Sequence, residues 1–125
     1  MPIHRLLASA LLLGPAPLLA QAAPNPTLGR MQFGQCSVCH AVAKDKPDGI
    51  GPNLWGVVGA KAATRRPRYA YSPQLKASKL TWDEATLDRW IASPGATVKG
   101  NKMEFIGIGR KQVRANIIAY LASLK

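Results

Sequence analysis

Two thiols and an imidazole stand together in this chain, in the run Cys36-Ser37-Val38-Cys39-His40. Cys36 and Cys39 are its only cysteines, and its only other histidine, His4, lies near the N-terminus. Four chemistries use such a set. A C-x-x-C redox pair belongs beside strands and helices in alternation, and no strand pattern flanks this one. A structural zinc site needs four ligands, and no second cysteine pair completes the set. A disulfide between the two would close a loop of a few residues and stabilise little. The fourth chemistry is covalent attachment of a haem. C-x-x-C-H spaces two sulfurs to add to the two vinyl groups of one porphyrin and sets an imidazole beside the ring to bind its iron. The rest of the chain favours that reading, with one haem c held by Cys36 and Cys39 and His40 as an axial ligand.

A second axial ligand must come from elsewhere. Beyond Met1 the chain has two methionines, Met31 and Met103. Met31 lies in the segment that leads into Cys36, on the histidine side. Met103 lies far downstream in a loop free to fold over the other face. A thioether favours ferrous iron and raises the reduction potential. His40 and Met103 are therefore the expected metal ligands, with a lysine such as Lys102 as the alternative to Met103.

The elements that must position these groups are few. Residues 1–22 read as a cleaved signal peptide. His4 and Arg5 precede an apolar stretch broken by Gly14, Pro15 and Pro17, and Ala20-Gln21-Ala22 gives the small-x-small cleavage pattern. The stretch is shorter than the roughly 20 residues that span a bilayer. Export, to the periplasm, follows. Residues 23–27 read as a tether and residues 28–125 as one domain. Leu28 to Gln35 is an expected first helix, with Leu28 and Met31 on its apolar side and Gly29 and Gly34 weakening it. Glycines and prolines between Ala41 and Ala63 predict loop and turns that carry apolar anchors such as Ile50, Leu54 and Trp55. Ser72-Pro73 should start a short helix through Lys79. Thr81 with Glu84 reads as a capping box opening a helix that Pro94-Gly95 ends. The last helix should start near Arg110 and bury Val113, Ile117, Tyr120, Leu121 and Leu124. The fold class is all-α: three to four main helices with long loops wrapped around one large apolar object.

The charge is high: 17 basic against 6 acidic residues, a formal +11. Such a surface attracts acidic partners. Export and the lack of a long basic run argue against nucleic acid.

The chain resembles the class I c-type cytochromes, in the mitochondrial cytochrome c and bacterial cytochrome c2-like branch, from about Leu28 to Leu124. The likeness rests on the haem motif and on independent segments. Gly51-Pro52-Asn53-Leu54-Trp55-Gly56 resembles the segment whose proline carbonyl accepts a hydrogen bond from the ligand histidine, which implies that Pro52 fixes His40. Tyr71 and Trp82 resemble the residues that donate to a buried haem propionate. Gly100-Asn101-Lys102-Met103-Glu104-Phe105 resembles the loop that carries the methionine ligand, and Tyr120-Leu121 resembles the helix that crosses the first one. The departures are informative. Lys99 stands where the family usually has a proline, which predicts a looser Met103 loop. Asn101 stands where a threonine commonly helps a propionate, so Asn101 is expected to contact the cofactor. Ala60 stands in place of an arginine, which Arg65, Arg66 or Arg68 can replace. Trp90 stands where many relatives have a tyrosine, and Phe33 is displaced along its helix.

The resemblance implies a small cytochrome c fold and a soluble, monomeric periplasmic one-electron carrier, not an enzyme and not inserted in the membrane. Its partners would be redox proteins with acidic docking surfaces. A quinol-oxidising cytochrome complex or a periplasmic dehydrogenase would be the donor, and an oxidase, peroxidase or photosynthetic reaction centre the acceptor. Lys44, Lys46, Lys61, Lys99 and Lys102 are candidates for steering them. The alternative is a dedicated haem subunit or partner of one periplasmic dehydrogenase. Gas binding or haem catalysis would require a vacant or labile sixth site.

Overall fold

The computed structural model describes residues 10–18 and 22–125. The rest of the expected leader lies outside the described residues. Within it, residues 10–18 form no helix and are exposed. No helix among the described residues is long and apolar enough to cross a membrane.

Helix α1 spans Pro26–Gln32 and runs into a single 3-10 turn, Phe33–Gln35. It begins inside the segment expected to be a tether. Pro26 takes the first helical position, where its missing N–H costs nothing, and the Asn25 side chain accepts from the amides of Thr27 and Leu28 at 2.9 and 3.1 Å. The Asn25 amide in turn donates to Asn116 Oδ1 at 2.8 Å, so the start of α1 is pinned to the last helix. The apolar side expected for α1 is corrected: Leu28 and Met31 are 45% and 74% exposed, while Gly29 and Phe33 are buried.

Helix α2 (Pro73–Ser78) starts as expected, with Ser72 Oγ accepting from the Leu75 amide at 3.1 Å. Helix α3 spans Glu84–Ala92, but Asp83, not Thr81, caps it, accepting from the Thr86 amide at 2.8 Å. Thr81 is instead paired with Lys61 in an isolated antiparallel bridge, and Trp82 N–H donates to the Ala60 carbonyl at 2.8 Å. Pro94 ends α3 and also opens a one-turn helix α4, Pro94–Thr97. Helix α5 covers Lys111–Ala122.

Helix α5 is the hub: α1 and α3 both pack on it, and α4 packs on α3. Gly29 marks the α1–α5 crossing, since a Cβ there would lie 1.9 Å from the Asn116 carbonyl oxygen. Beside it the Phe33 and Tyr120 rings meet edge to face at 5.7 Å. Ile117, Ile118 and Leu121 are buried at the same seam.

Candidate haem crevice

The C-x-x-C-H motif follows the 3-10 turn and continues its winding. Cys39 and His40 donate backbone bonds to the Cys36 carbonyl at 3.1 and 3.0 Å. One turn of chain therefore brings Cys36, Cys39 and His40 to one cavity wall. Both cysteines are free thiols. Burial, with a smaller push from Cys39, raises the Cys36 thiol to about 11.

His40 is held from behind. Its Nδ1 lies 2.7 Å from the Pro52 carbonyl oxygen. A carbonyl can only accept, so Nδ1 carries the proton and Nε2 keeps its lone pair. Burial pushes the imidazole below its ordinary value, and the Pro52 bond pulls it partly back. Gly51 allows this placement, because a Cβ there would stand 2.4 Å from His40 Cε1. The loop that presents Pro52 is knotted by Asn53, which is 2% exposed. Its side-chain amide donates to the carbonyls of Ala43 and Lys46 at 2.7 and 2.8 Å, and its Oδ1 accepts from the Trp55 amide at 2.9 Å. Asp48 accepts from the Asn53 amide and pairs with Arg66, both through Oδ1. Motif spacing does not single out Asn53 for this task; an asparagine between a Gly-Pro pair and an apolar run is the only sequence signal for it.

The cavity these walls enclose is about 550 Å³, within the roughly 300–1,000 Å³ usual for cofactor and ligand sites. Phe33, Leu54, Val57, Leu75, Leu87, Trp90, Ile91, Phe105, Ile117 and Leu121 make its apolar surface. Tyr71 and Trp82 also line it. Burial pushes the Tyr71 hydroxyl above its usual range, against a smaller pull from the Arg66 backbone, so it stays a proton donor near neutral pH. Trp82 stacks edge to face on Trp90 at 5.1 Å. Of the three arginines that could replace the cation missing at Ala60, only Arg65 lines the cavity. Arg66 is engaged with Asp48. Arg65 donates to the Trp55 carbonyl at 3.3 Å and lies over Gly56, where a Cβ would come within 2.6 Å of it.

Met103 reaches the same cavity from the loop between α4 and α5 and is half-buried against the core. Asn101 is on the wall too, and its side chain is hydrogen-bonded within its own loop. Its two amide protons already go to the carbonyls of Pro94 and Val98, at 3.0 and 2.8 Å. Its Oδ1 accepts from the Met103 amide at 2.8 Å. Both amide protons and the amide oxygen are thus engaged within the loop. Lys102 bridges outward, its ammonium on the Ala70 carbonyl and 4.4 Å from the centre of the Tyr69 ring. Tyr69 donates to the Ile50 carbonyl at 2.7 Å. This chain of contacts joins the Met103 loop to the segment bearing Gly51 and Pro52. Of the lysines expected to steer partners, Lys61 and Lys102 line the cavity, whereas Lys44, Lys46 and Lys99 are exposed away from its wall. Glu104 is the only acidic residue among those lining it.

These residues fit a porphyrin. Two thiols, an imidazole with a free lone pair and a thioether converge on one apolar cavity that also carries donors for carboxylates. Among the described residues no cluster of three or more His, Cys, Asp or Glu offers an alternative metal site. No family model matches the chain. It is 47% identical over 104 residues to cytochrome c2 of Rhodomicrobium vannielii, covering 83% of this chain and 82% of that protein. It is 41% identical over 103 residues to cytochrome c2 of Rhodoblastus acidophilus, covering 82% and 95%. The solved structure of cytochrome cH from Methylobacterium extorquens matches with a TM-score of 0.75 at 43% identity, over 79% of this chain and 98% of that one.

Proposed function

The chain belongs to the class I c-type cytochromes, in the cytochrome c2 branch, and from that premise we propose that it is a soluble periplasmic carrier whose iron is held by His40 and Met103. It is an electron-carrying protein rather than an enzyme, with one haem c covalently attached through Cys36 and Cys39. When bound, that group supplies a one-electron Fe(III)/Fe(II) couple. The chain's own residues do the rest. Pro52 keeps His40 in one tautomer and raises its strength as a donor. Met103 supplies a soft sulfur that favours the reduced state. Tyr71 and Trp82 offer donors, and Arg65 a cation, to the propionates, which need partners in an apolar setting. The apolar wall excludes water, so the charge change on the iron is felt in a low dielectric.

The observation that carries this reading is the 2.7 Å contact between His40 Nδ1 and the Pro52 carbonyl at a cavity that Met103 also lines. The oxidised holoprotein should show the near-infrared sulfur-to-iron charge-transfer band, and Met103→Ala should abolish it. An oxidised protein lacking the band at neutral pH would remove Met103 from the iron. Redox proteins are the partners. The cations Lys61, Arg65 and Lys102 at the cavity wall support acidic docking surfaces, so electron-transfer rates to such a partner should fall as salt rises.

A further inference from the structure

The loop from Val98 to Arg110 is buried near its ends, at Val98 and Ile108, and largely exposed between them. Gly100 and Gly107 sit at φ +81° and +112°, Gly109 follows, and Lys99, Gly100, Lys102, Glu104 and Ile106 are exposed. Only a one-turn helix precedes it. Yet Met103 must stay on one side of one cavity for a thioether to remain bound. Beyond Met103 the Ile108 N–H holds the loop to the Ile91 carbonyl at 2.9 Å, but around Met103 the backbone supplies only local bonds, from Asn101 N–H to the Val98 carbonyl at 3.2 Å and from Phe105 N–H to the Met103 carbonyl at 3.0 Å.

We infer that Asn101 is a positioning residue for Met103, its side-chain amide tying the Met103 backbone to α4. The inference rests on the proposed His40/Met103 ligation. Three hydrogen bonds converge on this one side chain. Two go to the carbonyls of Pro94, the first residue of α4, and Val98, its C-cap, which also accept from the backbone amides of Val98 and Asn101. The third takes the Met103 amide itself. The amide plane is fixed by all three, since reversing it would set its oxygen against two carbonyls and its NH2 against an N–H. Pro94 is fully buried and belongs to the firm part of the fold. The looseness expected from Lys99 is therefore offset by the next polar side chain along. A proline at position 99 would brace the same loop by another route. Val98 is extended (φ −134°, ψ 97°), as a residue before proline must be, and the Lys99 amide makes no backbone bond that the change would cost.

The test is a titration of the oxidised holoprotein with imidazole, which binds only when the thioether leaves. Its apparent affinity scales with the population of the open loop. Asn101→Ala should tighten imidazole binding by roughly ten- to a hundredfold, for the loss of three hydrogen bonds. Asn101→Asp, which keeps the acceptor but neither donor, should tighten it as well, and it stands in if the alanine variant fails to mature. Lys99→Pro in the Asn101→Ala background should restore part of the loss. Asn116→Ala, at the α1–α5 seam, serves as a control for general instability: its denaturant midpoint should fall while its imidazole affinity stays within about twofold of wild type. If Asn101→Ala binds imidazole like wild type, or if Asn116→Ala tightens binding as much, the inference is overturned. If the wild-type protein lacks the sulfur-to-iron band, the ligation reading fails first and the inference falls with it.

Discussion

Gly29→Ala separates two arguments that give opposite signs. In the middle of a helix, alanine is favoured over glycine by about 0.5–1 kcal/mol. Judged by α1 alone, the substitution stabilises. The crossing with α5 says otherwise. The new Cβ would stand 1.9 Å from the Asn116 carbonyl oxygen, 2.5 Å from its carbon and 3.0 Å from Tyr120 Cβ. The first two are backbone atoms of a helix and cannot turn away. The helices must separate by about 1 Å, and a gap of that size forfeits a quarter to a half of the dispersion energy of each contact across it. The contacts at stake include the Phe33–Tyr120 pair, and the Asn25–Asn116 and Asn116–Gln32 hydrogen bonds at 2.8 and 3.2 Å. Overpacking costs about 1–3 kcal/mol in cores that can adjust, and this one is hemmed in by backbone. Taking the upper part of that range, the net expectation is a loss of about 1–2 kcal/mol after the propensity gain. That corresponds to a fall in Tm of roughly 5–15 °C for a domain of this size. Guanidinium unfolding of the oxidised holoprotein, followed by far-UV circular dichroism, gives the midpoint. A midpoint equal to or above wild type would show that the helices do not approach as closely as Gly29 implies.

Gly51→Ala should disturb His40 directly, since its Cβ would meet Cε1 at 2.4 Å. The exchange of the Nδ1 proton with solvent, followed by NMR, should quicken, whereas Pro52→Ala, which keeps the backbone carbonyl, should change it far less. Arg114→Leu removes a side chain that grips the Asp88 carboxylate at 2.7 and 3.3 Å and the carbonyls of Ile108 and Gly109 at 3.0 Å. The denaturant midpoint should report a cost of about 2 kcal/mol, and a double-mutant cycle with Asp88→Asn should show coupling. The Thr86 backbone N–H, then its hydroxyl, hold the Asp83 carboxyl below its ordinary range. Its stabilising effect is thus complete above the unfolded value of about 4 and is lost as pH falls through the lower folded value. Wild type should therefore lose Tm relative to Asp83→Asn below about pH 4, with no such divergence between pH 5 and 8. Replacing both Cys36 and Cys39 by serine, which prevents attachment, should abolish the cooperative thermal transition; a sharp transition in that apoprotein would show that the core folds without the cofactor.

The chemistry was legible because it is local. Cys36, Cys39 and His40 are consecutive enough that one helical turn aligns them, and a census of two methionines left little choice for the far side. Helix α2 with its Ser72 cap, and α5 with its stripe, were legible for the same reason. What escaped was decided by contacts distant in sequence. Thr81 and Asp83 are both good caps, and only the pairing of Thr81 with Lys61, across the chain, gives the helix to Asp83. Gly29 read as a weakness in a helix until α5 was set against it. Leu28 and Met31 satisfied a helical period but face solvent, because the buried side of α1 is set by Gly29 and Phe33. Asn101 lines the cavity, and its bonds to Pro94, Val98 and Met103 depend on a loop conformation that residue types do not reveal. Arg114 gave a weaker signal still, one cation beside the apolar stripe of α5, and only Asp88 on α3 shows what it grips.

The core and the cavity of this protein are largely the same residues. Of the thirteen buried apolar side chains among the described residues, nine also line the crevice: Phe33, Val57, Leu75, Trp82, Leu87, Trp90, Ile91, Ile117 and Leu121. A chain of 125 residues, shorter still without its expected leader, has little apolar surface to bury elsewhere. Left without its group, the apolar crevice of about 550 Å³ would leave these side chains to water, and a small domain has only about 5–15 kcal/mol of stability to set against that loss. Among the described residues the helices pack chiefly at the α1–α5 seam, between α3 and α5 and between α3 and α4, and most of the remaining buried apolar side chains look into the crevice. Attachment through Cys36 and Cys39 therefore does more than retain a redox group. It fixes the largest piece of the hydrophobic core in place, so the same side chains that fold the protein set the water-poor environment in which the iron changes charge.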